Sequence, residues 1–343
     1  MKSWGKTSGK ILRLLIGIIG VLILLKATMS LIKTFQTPEQ KLLQDVTVLL
    51  DWTPNTNHTG LYVAAENGYF TDNGLNVSII QPSEGTASQL VASGNAQFAI
   101  SAQESVTEAR SQNIPIVSIA AIIQHNTSAF ASLKKSNITT VKDFEGKRYG
   151  GWGSLAEEVV LQAVMEQKGA DYKKVKNITL GMADFFTTID READFEWIFY
   201  GWDGIEAKRR NLEINTIMLK DLDPVLDYYT PVLITSESLI NEKPEIVERF
   251  STAVKKGYEY AIENPQQAAQ LLLRQVPELN YELVQQSQVW LSKEYQFDAP
   301  YWGYQQAETW QNYADWMSQK GLVTTPVDTS HAFTNQFLLS RKQ

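Results

Sequence analysis

From residue 46 onward, short apolar runs alternate with amphipathic stretches along this 343-residue chain. Strands followed by helices at this spacing are typical of a parallel sheet with helices on both faces. The first such unit has four predicted strands, Val46–Leu50, Asn76–Gln81, Gln97–Ser101 and Ile116–Ile123. Its predicted helices are Gly60–Asn67, Ser83–Asn95 and Glu104–Gln112.

A second α/β unit follows. Its predicted strands are Lys147–Gly151, Lys176–Leu180 and Glu196–Tyr200, and its helices are Ser154–Lys168, Asp184–Arg191 and Gly204–Asn211. A strand at Thr230–Thr235 returns to the first unit, before helices at Pro244–Glu263, Pro265–Gln275, Tyr281–Ser292 and Gln305–Lys320. We therefore expect lobe 1 from residues 46–128 and 231–343 and lobe 2 from residues 129–230. Crossings near 127–131 and 227–231 would join them, with a ligand in the cleft between.

The N-terminus reads as a targeting or anchoring segment over residues 1–36, with a polar tether at 37–45. Four basic residues precede the twelve apolar residues 14–25. That run matches a signal-peptide core and is shorter than the ~20 residues that span a bilayer. An extension to Ile32 favours an uncleaved membrane helix, and a cleaved signal is the alternative. Both interpretations place the body of the protein outside the cytoplasm.

Composition removes several function classes. The chain has no cysteine, which excludes disulfides, thiolate metal sites, a cysteine nucleophile and a lipidated cysteine. The first 36 residues carry six basic residues and no acid, so subtracting +6 from the total charge of −7 leaves −13 on the remainder. An acidic body argues against nucleic-acid binding. The three histidines show no pair at metal-ligand spacing, and neither a G-x-S-x-G elbow nor a Walker motif occurs.

Four polar loops follow the carboxyl ends of predicted strands and should face the cleft. They combine flat aromatic rings with hydrogen-bonding groups, which suits a planar heteroaromatic ligand. The predicted ligand contacts are Asp51, Trp52, Asn55, His58, Ser101, Gln103, Trp152, Ser154, Glu157, Tyr200, Trp202 and Asp203. No residue is predicted to be catalytic or to bind a metal, and no cofactor is expected.

Structural roles remain open for several of these residues. A tryptophan among nine is often a core residue, and this alternative applies to Trp52, Trp152 and Trp202. His58 could fix its own loop or cap the next helix instead of meeting a ligand. Glu157 could simply favour the first turn of its helix, where the dipole stabilises an acid. Glycine in Gly150-Gly-Trp-Gly-Ser154 suggests close approach of a ligand to the backbone.

The stretch Leu50-Asp-Trp-Thr-Pro-Asn-Thr-Asn-His-Thr-Gly-Leu-Tyr-Val-Ala64 resembles the opening motif of the NMT1/THI5-like family. Three further blocks agree with it: Glu66-Asn-Gly-Tyr-Phe70, Gly150-Gly-Trp-Gly-Ser154 and Phe195-Glu-Trp-Ile-Phe-Tyr-Gly-Trp-Asp203. The resemblance covers roughly residues 45–330. It implies a two-lobed fold of the type II periplasmic-binding-protein kind.

The resemblance also implies one of two functions. One branch of the family delivers thiamine pyrimidine precursors to an ABC importer, and the other is a synthase that makes the pyrimidine phosphate. The synthase branch needs a lysine and a histidine on the loop where Ser101–Ser105 stands here, and a cysteine-rich motif where this chain has Asp227–Pro231. We therefore expect a non-enzymatic, monomeric solute-binding protein that works with a permease and an ATPase. Binding of another solute, such as riboflavin, a sulfonate or an amine, is the alternative.

Overall fold

A computed structural model describes residues 43–81, 87–181 and 183–339, together with Lys26. Its ten strands form two five-stranded sheets. In chain order the strands are β1 Gln44–Leu49, β2 Leu75–Ile80, β3 Phe98–Ser101, β4 Ile116–Ala121, β5 Ser128–Leu133, β6 Arg148–Gly151, β7 Lys176–Thr179, β8 Phe195–Phe199, β9 Ile214–Met218 and β10 Val232–Ser236. The first sheet has the order β2-β1-β3-β10-β4 and the second β7-β6-β8-β5-β9.

Helices surround both sheets. In chain order they are α1 Thr59–Glu66, α2 Tyr69–Asp72, α3 Ala87–Ala92, α4 Gln103–Ser111, α5 Leu155–Gln167, α6 Phe185–Thr188, α7 Ile205–Arg209, α8 Leu219–Leu222, α9 Glu237–Glu242, α10 Pro244–Glu263, α11 Pro265–Gln275, α12 Tyr281–Leu291 and α13 Ala307–Gln319. The predicted two α/β lobes are confirmed. We call them the first lobe and the second lobe after their sheets.

The prediction of purely parallel sheets is wrong, because one strand in each sheet runs against its neighbours. β10 pairs antiparallel with both β3 and β4, and β5 pairs antiparallel with both β8 and β9. Both reversed strands are entered directly from a crossing between the lobes. A chain arriving at the carboxyl edge of a parallel sheet continues against that sheet's direction, because a parallel strand would need a long crossover first.

Several elements differ from their predicted form. Most of β5 lies where a crossing was predicted, β9 was not predicted, and the predicted helix Asp184–Arg191 is reduced to the single turn of α6. α13 belongs to the segment assigned to lobe 1, but it contacts both cores. Its Trp310 packs in the first lobe, whereas its Tyr313 and Met317 lie in the main apolar cluster of the second lobe.

Apart from Lys26, the predicted N-terminal membrane helix, Leu14–Ile32, lies outside the described residues. Among the helices within the described residues, none is long and apolar enough to cross a membrane.

Candidate functional site

The loop after β1 is organised by His58. The Asn55 side chain accepts a hydrogen bond from the Asn57 N–H at 2.8 Å, and the Asn55 N–H donates to His58 Nδ1 at 3.2 Å. Because Nδ1 accepts, the imidazole proton is on Nε2, which donates to Asp51 Oδ1 at 2.7 Å. His58 has no exposed surface. His58 therefore fixes this loop and Asn55 caps the same turn, while the ligand contact at His58 stays a prediction.

Two neighbouring residues of this loop remain open to solvent. Trp52 is 41% exposed, which is unusual for an indole. The Asp51 side chain is 35% exposed and has one partner, His58, among the described residues. Asp51 thus presents an oriented carboxylate beside an accessible aromatic face.

Close packing of α1 against α10 fixes the position of the loop after β1. A Cβ on Gly60 would lie 2.2 Å from the Tyr258 ring, so α1 can approach α10 only with glycine there. The Tyr258 hydroxyl then donates to the Asn57 carbonyl at 2.7 Å. The loop is thereby tied to the core of the first lobe.

In the second lobe, the buried side chain of Glu157 fixes the glycine-rich loop 150–154 through hydrogen bonds. Its Oε1 accepts from the Tyr149 hydroxyl at 2.6 Å and from the Trp152 N–H at 3.2 Å, and its Oε2 accepts from the Gly153 N–H at 3.0 Å. The side chain is 2% exposed, and burial raises the pKa of Glu157 although these hydrogen bonds oppose the shift. A Cβ on Gly151 would lie 2.3 Å from Glu157 Oε1. Glycine at this position leaves room for the Glu157 carboxylate.

Ser154 and Trp152 complete that loop. The Ser154 hydroxyl oxygen caps α5 by accepting from the Glu157 N–H, and it also accepts from the Trp152 indole, both at 3.1 Å. The Trp152 ring packs edge-on against Trp197 at 5.4 Å and stays 40% exposed. Trp152 therefore offers an indole surface from the second lobe, as Trp52 does from the first.

The turn Tyr200–Gly204 of the second lobe lies against α12 of the first lobe. A Cβ on Gly201 would lie 2.9 Å from the Leu291 side chain. The Ser287 hydroxyl donates to the Gly201 carbonyl, and Thr56 in the first-lobe loop contacts Ser287 Oγ at 2.6 Å. Ser287, which sequence reasoning missed, thereby joins the binding loops of both lobes.

The side chains of this turn have different surroundings. Tyr200 packs against Trp290 at 5.4 Å. Trp202 packs on an apolar cluster of the first lobe that includes Tyr62 and Leu272, which fits its structural alternative. Asp203 accepts from the Phe199 N–H at 3.2 Å, and burial, with lesser repulsion from neighbouring acids, raises the pKa of Asp203 to about 6.

In the loop after β3, the two predicted contacts Ser101 and Gln103 are both buried. Gln103 is fully buried, with Oε1 accepting from the Tyr229 N–H at 2.9 Å and Nε2 donating to the Thr309 carbonyl at 3.1 Å. These two hydrogen bonds join α4 to the return crossing and to α13, and the ligand contact at Gln103 stays a prediction. Ser101, at the end of β3, is 8% exposed.

One buried acid in the second lobe was missed. Glu196 in β8 is 6% exposed, its Oε1 has no hydrogen-bond partner, and burial raises its pKa to about 7. A glutamate inside the apolar run Phe195–Phe199 was the available signal.

An open groove of about 400 Å³ lies elsewhere, and none of the twelve predicted contacts lines it. It runs between α7 and α12 and is lined by Lys208, Lys293 and Trp290, among others. Both lysines are exposed, so the groove has no buried polar group to fix a ligand.

Comparison with known proteins identifies the family. The family described as NMT1/THI5 like matches residues 55–268. The chain is 31% identical over 310 residues to a formylaminopyrimidine-binding protein of Halalkalibacterium halodurans, covering 88% of this chain and 93% of that protein. It is 26% identical over 346 residues to the riboflavin-binding protein RibY of Chloroflexus aurantiacus, covering 93% and 96%.

Further relatives include an enzyme. A 4-amino-5-hydroxymethyl-2-methylpyrimidine phosphate synthase of Legionella pneumophila is 25% identical over 246 residues, covering 70% of this chain and 76% of the enzyme. Among solved structures, the periplasmic aliphatic sulphonate binding protein SsuA of Escherichia coli superposes with a TM-score of 0.64 at 14% identity, covering 86% of this chain and 99% of that one. At that identity the likeness shows the fold alone. The family match and the first relative together show that this chain belongs to the NMT1/THI5-like family.

Proposed function

We propose that this protein is a solute-binding protein that captures a thiamine-related pyrimidine for an ABC importer. The observation that carries the proposal is the oriented, accessible carboxylate of Asp51 beside the exposed Trp52. An aminopyrimidine has a flat ring that stacks on indole and N–H groups that donate to a carboxylate. The ligand would be of the hydroxymethylpyrimidine or formylaminopyrimidine type.

The charge of the loops supports a neutral or cationic ligand. None of the four loops, 51–59, 101–105, 150–154 and 200–203, contains lysine or arginine. A sulfonate would bury its negative charge beside Asp51 and Asp203 without a cation to pair it, which costs several kcal/mol. We therefore propose that this protein shares the fold of SsuA but does not bind an anionic ligand.

The twelve predicted residues divide into two groups under this proposal. Direct contacts are assigned to Asp51, Trp52, Ser101, Trp152, Tyr200 and Asp203. A positioning role is assigned to Asn55, His58, Gln103, Ser154, Glu157 and Trp202. The first group is exposed or half-buried except for Ser101, whereas His58, Gln103 and Glu157 are buried and hydrogen-bonded within the protein.

The location and partners belong to the same proposal. The apolar N-terminal segment and the name of the structurally similar periplasmic SsuA support an extracytoplasmic, N-terminally anchored protein. It would act as a monomer, deliver its ligand to a permease and an ATPase, and carry out no reaction. The absence of cysteine from the chain and the serines at positions 101 and 105 count against the synthase activity of the more distant relatives.

Titration calorimetry tests the proposal directly. We expect 4-amino-5-hydroxymethyl-2-methylpyrimidine or its formylamino relative to bind the wild-type protein. Asp51→Asn should weaken binding by about 10- to 100-fold, because a charge-assisted hydrogen bond contributes ~1.5–3 kcal/mol. The exposed Asp72→Asn is the matched control and should leave affinity unchanged. Binding of neither pyrimidine would overturn the proposal.

Riboflavin is the second candidate ligand, because RibY is similar over nearly the whole chain. An isoalloxazine ring is also flat and would stack on the same indoles. Yellow colour in the purified protein, or heat with riboflavin and none with pyrimidines, would favour this alternative.

A further inference from the structure

The two segments that join the lobes are bonded to each other. The first crossing, residues 122–127, leads from β4 to β5, and the return crossing, residues 227–231, leads into β10. The Ile122 N–H donates to the Pro231 carbonyl at 3.0 Å, and the Asn126 side chain donates to the Leu226 carbonyl at 2.8 Å. Rotation of one lobe against the other must act on these contacts.

His125 connects three segments at this point. Its Nδ1 lies 2.6 Å from Asp227 Oδ2 in the return crossing, and its Nε2 lies 3.2 Å from Asp298 Oδ1 in the loop after α12. Neutral imidazole carries one N–H, so both hydrogen bonds exist together only in the imidazolium. The second oxygen of Asp227 accepts from the Asn126 N–H at 2.8 Å, which fixes that carboxylate.

The loop that carries Asp298 adopts a strained backbone. Phe297 has a φ of +42°, a region that bulky side chains rarely occupy. Its ring meets the His125 imidazole edge-on at 4.8 Å, while the residue remains 60% exposed. Strain of this kind persists only where surrounding contacts enforce it and often marks functional positions.

We propose that His125, Asp227 and Asp298 form an interlobe clasp, which holds the observed lobe arrangement when His125 is protonated and loosens it when the proton is lost. The clasp couples lobe movement to pH. Its effect on ligand capture rests on the proposed function, whereas its effect on lobe movement does not.

The sign follows from the groups that face His125. Hydrogen bonding to Asp227 comes first in raising the pKa of His125, Asp298 adds to this, and partial burial opposes it. Since the pKa is raised, the clasp is complete in acid and is lost as pH rises through that value. For each unit by which the pKa differs between loosened and clasped forms, ligand affinity changes up to about tenfold.

A ligand-free measurement tests the clasp itself. Because the chain has no cysteine, spin labels can be placed uniquely through Lys168→Cys in the second lobe and Glu242→Cys in the first. Pulsed electron resonance should show one narrow interlobe distance near pH 5.5 and a shifted or broadened one near pH 8.5. His125→Gln and the milder Asp298→Asn should give the broad distribution at both pH values. The exposed His331→Gln is the control and should behave as wild type.

The ligand arm separates the two proposals. Pyrimidine affinity should depend on pH in the wild type, and this dependence should be lost or reduced in His125→Gln. Asp203 and Glu196 titrate in the same interval, so a pH slope that is unchanged in His125→Gln would belong to them and would overturn the coupling. Identical distance distributions at both pH values would overturn the clasp. If no pyrimidine binds while the distances shift, the clasp stands and the proposed ligand fails.

Discussion

Asp51 in the first lobe and Glu157 in the second occupy similar places: Asp51 lies in the polar loop just beyond β1, and Glu157 lies in the first turn of α5, just beyond the loop that follows β6. Asp51 has one hydrogen-bond partner among the described residues and keeps 35% of its side chain exposed. Glu157 accepts three hydrogen bonds from its own lobe and is 2% exposed. One carboxylate is available to a ligand, while the other is consumed in building the loop.

The difference shows that residue type and loop position do not decide a role. The number of internal hydrogen bonds decides the role, because a buried carboxylate whose oxygens already accept hydrogen bonds has no free acceptor for a ligand. The two lobes also differ in which residue is buried and which exposed residue it holds in place. In the first lobe a buried His58 holds an exposed acid, whereas in the second a buried acid holds the exposed Trp152 through the backbone.

Alanine at the two positions gives the largest expected contrast. Glu157→Ala leaves the Tyr149 hydroxyl and the Trp152 and Gly153 N–H groups without their acceptor, and should lower the free energy of unfolding by about 3–5 kcal/mol. Asp51→Ala should cost roughly 1 kcal/mol, because only His58 loses a partner. Urea unfolding at neutral pH measures both.

Glu158→Ala, on the same helix and half-exposed, is the control for the second lobe and should stay near wild type. Equal stability losses for Glu157→Ala and Asp51→Ala would remove the distinction between the two carboxylates.

Much of the fold could be predicted from local pattern. α10 and α11 begin at Pro244 and Pro265 as expected, because proline is favoured in a first helical turn. β5 was missed, since Ser128–Leu133 mixes small and polar residues, and its two serines are nevertheless buried. β9 is an edge strand with every residue half-buried, so its periodicity is weak.

The loops of the candidate site could be predicted from the sequence, but the hydrogen-bond partners of their side chains could not. The loops were found from their composition, but that composition could not separate Glu157 from Asp51, and both were predicted as ligand contacts. The acceptor role of Glu157 depends on the Tyr149 hydroxyl, eight residues earlier in the chain, and on the bend of the loop. The Gln103 side chain donates to the Thr309 carbonyl, 206 residues away, a contact that no local pattern contains.

Glu196 adds a third carboxylate to the comparison of Asp51 with Glu157, because it is buried but leaves one oxygen unpaired. Its pKa is raised from 4.5 to about 7, so between those values the folded protein holds a proton that the unfolded chain lacks, and stability falls as pH rises. Glu196→Gln mimics the protonated acid and should stabilise the protein by about 2–3 kcal/mol at pH 8 and hardly at pH 5. Thermal unfolding at both pH values measures this.

The exposed Glu192→Gln serves as its control and should show no such pH-dependent gain. A loss of stability in Glu196→Gln at pH 8 would mean that the ionised carboxylate has a partner that this account omits.

Substitution of Ser154 should have the smallest effect on stability, and it tests most directly whether a loop residue supports the structure or contacts the ligand. Its hydroxyl oxygen accepts from the Glu157 N–H at the start of α5 and from the Trp152 indole. Ser154→Ala should therefore cost about 1 kcal/mol of stability, as loss of a helix cap does, and Ser154→Asp should restore it. If Ser154 only positions Trp152, affinity should fall less than threefold in Ser154→Ala. A larger loss of affinity with unchanged stability would instead place Ser154 among the ligand contacts.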